Sequence, residues 1–217
     1  MKDELTELKI LPPKLPENLD KIDFSNINFK DDDFFKLKSV ENCFIESQNA
    51  KYISFTQVVF DNVTFKDVSF KYIDLMDVRF ENCNLFNVDF SGAIIHRVEM
   101  IDSNLVGMNL SEATFRNVVF QNCNGRYSFF RSSDLDQVAF KKCIMNYSDF
   151  QQSKLVKIGF QNCDLKQVQM SGTLLKGIDF SDSDIEGICV SIEELFGAIV
   201  SPIQAVYLSK KIGLVVK

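Results

Sequence analysis

An apolar residue recurs at every fifth position through most of this chain, and neither a helix nor a strand has that period. In "VTFKDVSFKYIDLMDVRFENCNLFNVDF" (63–90) the large residues are Phe65, Phe70, Leu75, Phe80, Leu85 and Phe90. An α-helix repeats every 3.6 residues and a strand every two. From Phe55 to Val190 all 28 residues at multiples of five are apolar, apart from Gly125. The residue two places earlier is small or β-branched, as at Ile53, Val58, Val63, Val68, Ile73, Val78, Cys83, Val88 and Ala93. Two inward residues spaced by two are local strand geometry. The alternation then resets, so the chain turns a corner every five residues. Asn and Gly collect at those corners, as at Asn82, Asn87, Gly92, Gly107 and Asn122.

A second period says how many corners close a turn. Five of the six cysteines stand at 43, 83, 123, 143 and 163, separated by multiples of 20, and Cys189 lies off that column. Other columns read Val58, Val78, Val98, Val118, Val138, Ile158, Ile178, and Phe60, Phe80, Met100, Phe120, Phe140, Phe160, Phe180. Four sides therefore make one turn, and like residues stack on like. The expectation is an all-β solenoid of square section in which stacked neighbours bury one another's faces. Residues 22–190 give about 34 sides, or about 8.5 coils at roughly 4.8 Å each.

The pattern resembles the pentapeptide repeat family, whose repeat reads small–Asp/Asn–Leu/Phe–x–x. "CNLFN" (83–87), "SNLVG" (103–107), "ATFRN" (113–117), "SDLDQ" (133–137) and "CDLKQ" (163–167) follow it. The resemblance implies a right-handed quadrilateral β-helix. Three segments are expected: a lead-in or cap (1–21), the β-helix (22–190), and a C-terminal helical cap and dimerisation segment (191–217). The first repeats run in another register, with Phe24 and Phe29, so one extra residue belongs within "KDDDFFKLKSVE" (30–41), read as a bulge or as a functional kink between two solenoid segments. At Gly125 the missing core side chain is expected to be replaced by Met145 or by Phe129 folding inward.

Past Val190 the pattern stops. Ser191 with Glu194 reads as a capping box for a short helix ending near Gly197. "AIV" and "LVV" (214–216) read as strands. Between them a second helix starts at Ser201–Pro202 and ends at Gly213. An open solenoid end needs a cap. This one carries surplus apolar surface: Leu195, Phe196, Ile199, Val200, Ile203, Val206, Tyr207, Leu208, Ile212, Leu214, Val215 and Val216. That surplus predicts a homodimer joined tail to tail.

Nothing in the sequence assembles a reaction centre. The stacked cysteines form a line where Val and Ser also occur, which reads as buried thiols and not as a metal site or disulfide. His96 is the only histidine and reads as a surface corner residue. No carboxylate pair marks an acid/base couple and no phosphate loop is present. The expectation is no enzyme, no cofactor, no metal and no small-molecule ligand. The chain has a formal net charge of −6, which argues against a direct nucleic-acid partner. No stretch approaches 18 apolar residues and no signal peptide is evident, so the expected setting is cytoplasmic, away from membranes.

What remains is a stiff acidic rod with a surface to present to a protein. The family resemblance adds a candidate: the Qnr-type quinolone-resistance branch, which resembles double-stranded DNA and binds DNA gyrase or topoisomerase IV. "GAIVSPIQAVYLSKKIGLVV" (197–216) is similar to the tails of Gram-positive members. Candidate partner-binding carboxylates are Asp61, Asp67, Asp74, Asp77, Glu81 and Asp89. The acidity is uneven, however. Residues 1–100 hold 12 Lys+Arg against 18 Asp+Glu, and residues 101–217 hold 12 of each. The register leaves no room for projecting loops except as whole multiples of five. The alternative is an interaction scaffold without topoisomerase activity.

Overall fold

Each corner places one residue in the left-handed backbone region, and this closes four sides into a turn. In the computed structural model, which describes residues 8–216, twenty-six non-glycine residues have φ between 50° and 65°, all at numbers ending in 2 or 7. An L-residue there costs about 1 kcal/mol. The corner N–H offsets that cost by donating to the next coil, as Asn62 does to Glu81 (3.0 Å) and Asn82 to Ile101 (3.1 Å). Asn and Asp tolerate the conformation best, which explains their concentration at corners.

The result is a right-handed quadrilateral β-helix of about seven turns. Its main sheet is parallel and eight-stranded: β1 (Asp20–Lys21), β2 (Phe34–Glu41), β5 (Ser54–Asp61), β8 (Asp74–Glu81), β9 (Ile94–Ile101), β10 (Thr114–Gln121), β11 (Asp134–Lys141) and β12 (Lys154–Gln161). Each long strand covers two sides and bends at the corner between them. Pairing runs in steps of 20, for example Val118↔Val138 and Phe120↔Phe140. Two shorter pairs, β3 (Phe44–Glu46) with β6 (Thr64–Lys66) and β4 (Asn49–Lys51) with β7 (Ser69–Lys71), form the other sides. Later coils continue these sides by single bridges such as Asn84↔Asn104 and Asp89↔Asn109. Seven turns carry the long strand, fewer than the 8.5 coils counted from the sequence. β1 keeps only two residues of it, and the chain at 174–181 pairs without forming it.

The core is a stack of rings. Phe120 and Phe140 lie 4.7 Å apart and nearly parallel, and Phe130 and Phe150 lie 4.6 Å apart. Rings from adjoining sides meet edge to face, as Phe140 does with Phe150. Both are favourable aromatic geometries. Cys43, Cys83, Cys123, Cys143 and Cys163 are buried free thiols in this core.

In the 30–41 segment the chain turns a corner at Asp31–Asp32, closed by Asp33 N–H to the Lys30 carbonyl (3.2 Å), with no strand directly on its N-terminal side. The Asp33 carboxylate accepts from Lys30 N–H (2.8 Å), and Asp31 accepts from Lys51 N–H (2.8 Å). The core runs through it unbroken, with Phe24 against Phe55 and Phe29 against Phe70. At Gly125 the sulfur of Met145 occupies the space a side chain would fill. Phe129 stays outside.

The C-terminal segment departs from expectation. Residues 191–197 form turns and no helix. The Ser191–Glu194 reciprocal bonds are present, but Glu194 also accepts from Gly172 N–H of the preceding coil, which pins the segment as a further solenoid corner. "AIV" contributes one bridge, Asp179↔Ile199, and "LVV" forms no strand. The helix expected at Ser201–Pro202 is α1 (Pro202–Ser209), followed by a 3-10 turn that ends at Gly213 (φ 81°). Gln204 completes a capping box with Ser201 and extends its amide nitrogen to the carbonyls of Phe180 (2.8 Å) and Ser183 (2.6 Å). It thereby satisfies acceptors at the open end of the solenoid.

Candidate protein-interaction surfaces

One corner of the rod carries a column of carboxylates. Glu41, Asp61 and Glu81 end successive long strands in register; Ile101 takes that position one coil further on, and Asp102 stands beside it in the adjacent corner column. The neighbouring corner residues form an amide ladder. Asn62 donates to Asn42 (2.7 Å), Asn82 to Asp61 (3.3 Å) and Asn122 to Asp102 (2.9 Å). Lys21, 2.9 Å from Glu41, and the Ser39 hydroxyl hold the Glu41 carboxyl below its usual range. Neither Asp61 nor Glu81 is ion-paired among the described residues. The charge reverses where Lys141 and Lys142 occupy the same two positions.

The other sequence-predicted carboxylates lie elsewhere around the coil. Asp67 is exposed at a different corner, beside Phe86 and Asn87. Asp89 pairs with Lys71 (3.4 Å) and accepts from Asn109 (3.0 Å). Asp74 is half-buried, and burial pushes its carboxyl up. Asp77 is only 5% exposed. Burial raises its pKa, but Arg97 and the Lys14 N–H outweigh that and hold it down. Arg97 reaches Asp77 through two nitrogens, one of them at 2.7 Å, and its third faces His96 (3.0 Å). His96 is thus half-buried in an ion-paired cluster, not free at the surface. The structure brings Asp61 and Glu81 onto one edge and does not bring the six carboxylates together. Glu41 belongs to that edge and was missed by sequence reading, although its spacing of 20 from Asp61 signalled it; Asp102, 21 residues past Glu81, stands in the adjacent corner column.

The N-terminal segment lies along the side of the rod. It runs extended over the corner column Gln57, Asp77, Arg97, Asn117, Gln137, Lys157, against the direction of winding. Lys14 N–H donates to Asp77 (2.8 Å) and Lys14 C=O accepts from Gln57 (2.9 Å). Leu11 N–H donates to Asn117 (3.0 Å), Lys9 C=O accepts from Gln137 (3.1 Å), and Leu8 reaches Gly159. Residues 8–15 therefore brace five coils and do not cap the end. Residues 1–7 of the expected cap lie outside the described residues.

The C-terminal end presents apolar side chains. Leu195, Val200 and Leu208 pack on the core. The Tyr207 hydroxyl accepts from Gly187 N–H (2.7 Å). Ile203 and Val215 are 83% and 84% exposed, and Phe196, Ile199, Val206, Leu214 and Val216 are exposed with them. The Ile212 side chain lies outside the described set.

The five-residue repeat is also what the family models match. A pentapeptide repeat region matches residues 73–149, and an eight-copy array of pentapeptide repeats matches 143–182, together spanning half of the chain. This chain belongs to the pentapeptide repeat family. No curated protein matches it in sequence. Among solved structures it is similar to full-length QnrB1, described as a plasmid-mediated fluoroquinolone resistance protein, with 14% identity over 89% of this chain and 95% of that one (TM-score 0.41). It is also similar to HetL, involved in heterocyst differentiation regulation in the cyanobacterium Nostoc sp. strain PCC 7120, with 16% identity over 80% and 91% (TM-score 0.30). A third is a pentapeptide repeat protein of the Arabidopsis thaliana thylakoid lumen, with 20% identity over 58% and 74% (TM-score 0.32). No helix among the described residues is long and apolar enough to cross a membrane.

Proposed function

We propose that this pentapeptide repeat protein is a protein-binding rod, without catalysis of its own, whose acidic corner stands in for a DNA strand against DNA gyrase or topoisomerase IV and so protects the enzyme from quinolones. The observation that carries this reading is the edge Glu41–Asp61–Glu81, with Asp102 in the adjacent corner column. Carboxylates one coil apart recur every ~4.8 Å, against one phosphate per ~3.4 Å along a DNA strand. Where the column is free of ion pairs among the described residues, at Asp61 and Glu81, it offers about seven-tenths of a strand's linear charge, fixed on a stiff backbone. A basic groove built for duplex DNA is attracted to such an array at long range. The reversal at Lys141–Lys142 confines the mimicry to the N-terminal half. The exposed apolar end at Ile203, Val215 and Phe196 supports a homodimer that would hold two such arms apart.

The test is DNA supercoiling by purified gyrase from the same host with this protein titrated in, with and without ciprofloxacin. Restored supercoiling under the drug, or inhibition at higher protein concentration, is expected. Both effects should disappear in Asp61→Lys/Glu81→Lys. No effect of the folded wild-type protein in either arm would sink the proposal. Sedimentation of Ile203→Asp tests the dimer: a monomer is expected, and an unchanged mass would place the contact elsewhere.

A further inference from the structure

The corner beneath the N-terminal segment is built as a receptor for an extended peptide. Its side chains present, coil by coil, a donor (Gln137), an acceptor (Asn117), an acceptor (Asp77) and a donor (Gln57), and each meets a main-chain group of residues 9–14. From Gln137 to Gln57 is four coil spacings, about 19 Å, and five residues of extended chain span about 17–18 Å. Only an extended segment bridges them. The coil between Asn117 and Asp77 carries Arg97, whose donors are spent on Asp77 and His96. In the segment, Pro12 and Pro13 fall between Leu11 and Lys14, so the stretch over this coil has no N–H to satisfy. Apolar side chains set the other half of the fit. Leu8, Ile10, Pro13 and Leu15 are half-buried, while Lys9, Leu11, Pro12 and Lys14 face outward. The adjoining outward column reads Val119, Ala139, Gly159 where a solvated side would be polar. Ala139 is only 1% exposed, and among the described residues the N-terminal segment is the chain that passes over this side.

We propose that this trough is a docking site for an extended segment of a partner protein, with apolar residues two apart, then a Pro-Pro step, then a further apolar residue, and that residues 8–15 occupy it as an internal ligand until displaced. Displacement leaves the rod intact. No residue from 8 to 15 is fully buried, and the ring stack beneath is closed without them. A segment held by four hydrogen bonds and a few half-buried side chains opens locally, well below global unfolding.

The test uses a fluorescein-labelled peptide of residues 8–19, LKILPPKLPENL, titrated by anisotropy onto the full chain and its variants. Ile10→Asp weakens the internal ligand and should bind the peptide at least roughly tenfold more tightly than wild type, because the wild-type trough is already filled. Adding Ala139→Arg, which fills the trough from outside without touching the core, should abolish binding. So should Gln57→Met/Gln137→Met, which removes both donors. Circular dichroism checks that each variant is folded. Absence of saturable binding to folded Ile10→Asp would overturn the proposal, as would equal binding after Ala139→Arg. Sedimentation reports the other occupant: if Ala139→Arg alone dissociates the wild-type oligomer, the trough exchanges segments between copies and the partner reading fails.

Discussion

Replacing Phe140 by alanine should divide the rod mechanically. The Phe140 ring is fully buried, with Phe120 at 4.7 Å and Phe160 at 5.1 Å above and below, and Phe130 and Phe150 at 5.7 and 5.8 Å edge to face. Truncating a core phenylalanine costs about 3–5 kcal/mol. The upper end applies here because the surrounding rings are fixed in register by two ladders and cannot collapse into the cavity. Native domains are stable by about 5–15 kcal/mol, so this one change removes a third or more of the total. Each coil contacts only its neighbours. A break at one coil should therefore split unfolding into two transitions, one for the coils on each side. Guanidinium titration followed by far-UV circular dichroism and tyrosine fluorescence reads both effects. Phe129→Ala is the matched control, since that ring sits outside at 44% exposure and should change stability by less than about 0.5 kcal/mol. A single transition for Phe140→Ala with a loss below about 1.5 kcal/mol, or an equal loss for Phe129→Ala, would refute the stacked-ring account.

Gln204→Ala should destabilise the C-terminal end by about 1–3 kcal/mol, because it strands the Ser183 carbonyl and leaves the Phe180 carbonyl only the Ser183 N–H; amide exchange should rise at Ala198–Leu208 while the coils around Phe120 stay protected. Asp77→Asn should flatten the acid limb of stability. The folded Asp77 carboxyl lies below its ordinary value of 3.8, so its contribution is present above that pH and fades as pH falls through the folded value. Thermal melts from pH 2 to 7 check this, and an unchanged acid limb would remove Asp77 and Arg97 as its source. A thiol-specific disulfide reagent at pH 8 should modify Cys189 quickly and the other five cysteines only on unfolding, because all five are buried in the core; burial also pushes the Cys83 thiol up to about 12. Rapid reaction of more than one thiol in the native protein would contradict the closed column.

The solenoid was legible because its periods, five and twenty, repeat without interruption. Ring columns such as Phe120–Phe140–Phe160 and corner residues such as Asn82 and Asn122 could be assigned by number alone. The change of register between Phe29 and Phe35 was legible for the same reason, as a one-residue phase change. The ends were not. Residues 191–197 carry a sound capping signal, but Glu194 spends its carboxylate partly on Gly172 of another coil, and that tertiary bond keeps the segment in solenoid geometry. The N-terminal segment has no period at all. Its position is set by four side chains between 57 and 137 and by the open space at Gly159, all more than 40 residues away in sequence. The one local trace of it was the apolar outward column Val119–Ala139–Gly159, which breaks the polar rule of the other sides. Asp77 looked like a surface acid for the same reason: its burial depends on Lys14, 63 residues away.

These placements bear on one another. Going around the coil, the corner under the N-terminal segment and the acidic corner bound the same side, whose outward column runs Ser39, Val59, Arg79, Glu99, Val119, Ala139. On that side the Arg79–Glu99 pair at 2.7 Å neutralises itself, so the acid edge is left as the dominant charge. A partner broad enough to cradle the edge Glu41–Asp61–Glu81 must also rest on residues 12–15, since three residues separate the two corners. Release of the segment would then alter binding at the acidic edge without any change in its charge. Ile10→Asp, which adds one negative charge well up the rod from that edge, should change the concentration at which the protein acts on gyrase, while the salt dependence set by the edge carboxylates stays the same. A shifted midpoint with a parallel salt slope would tie the two surfaces together. A midpoint that does not move would make them independent sites on one rod.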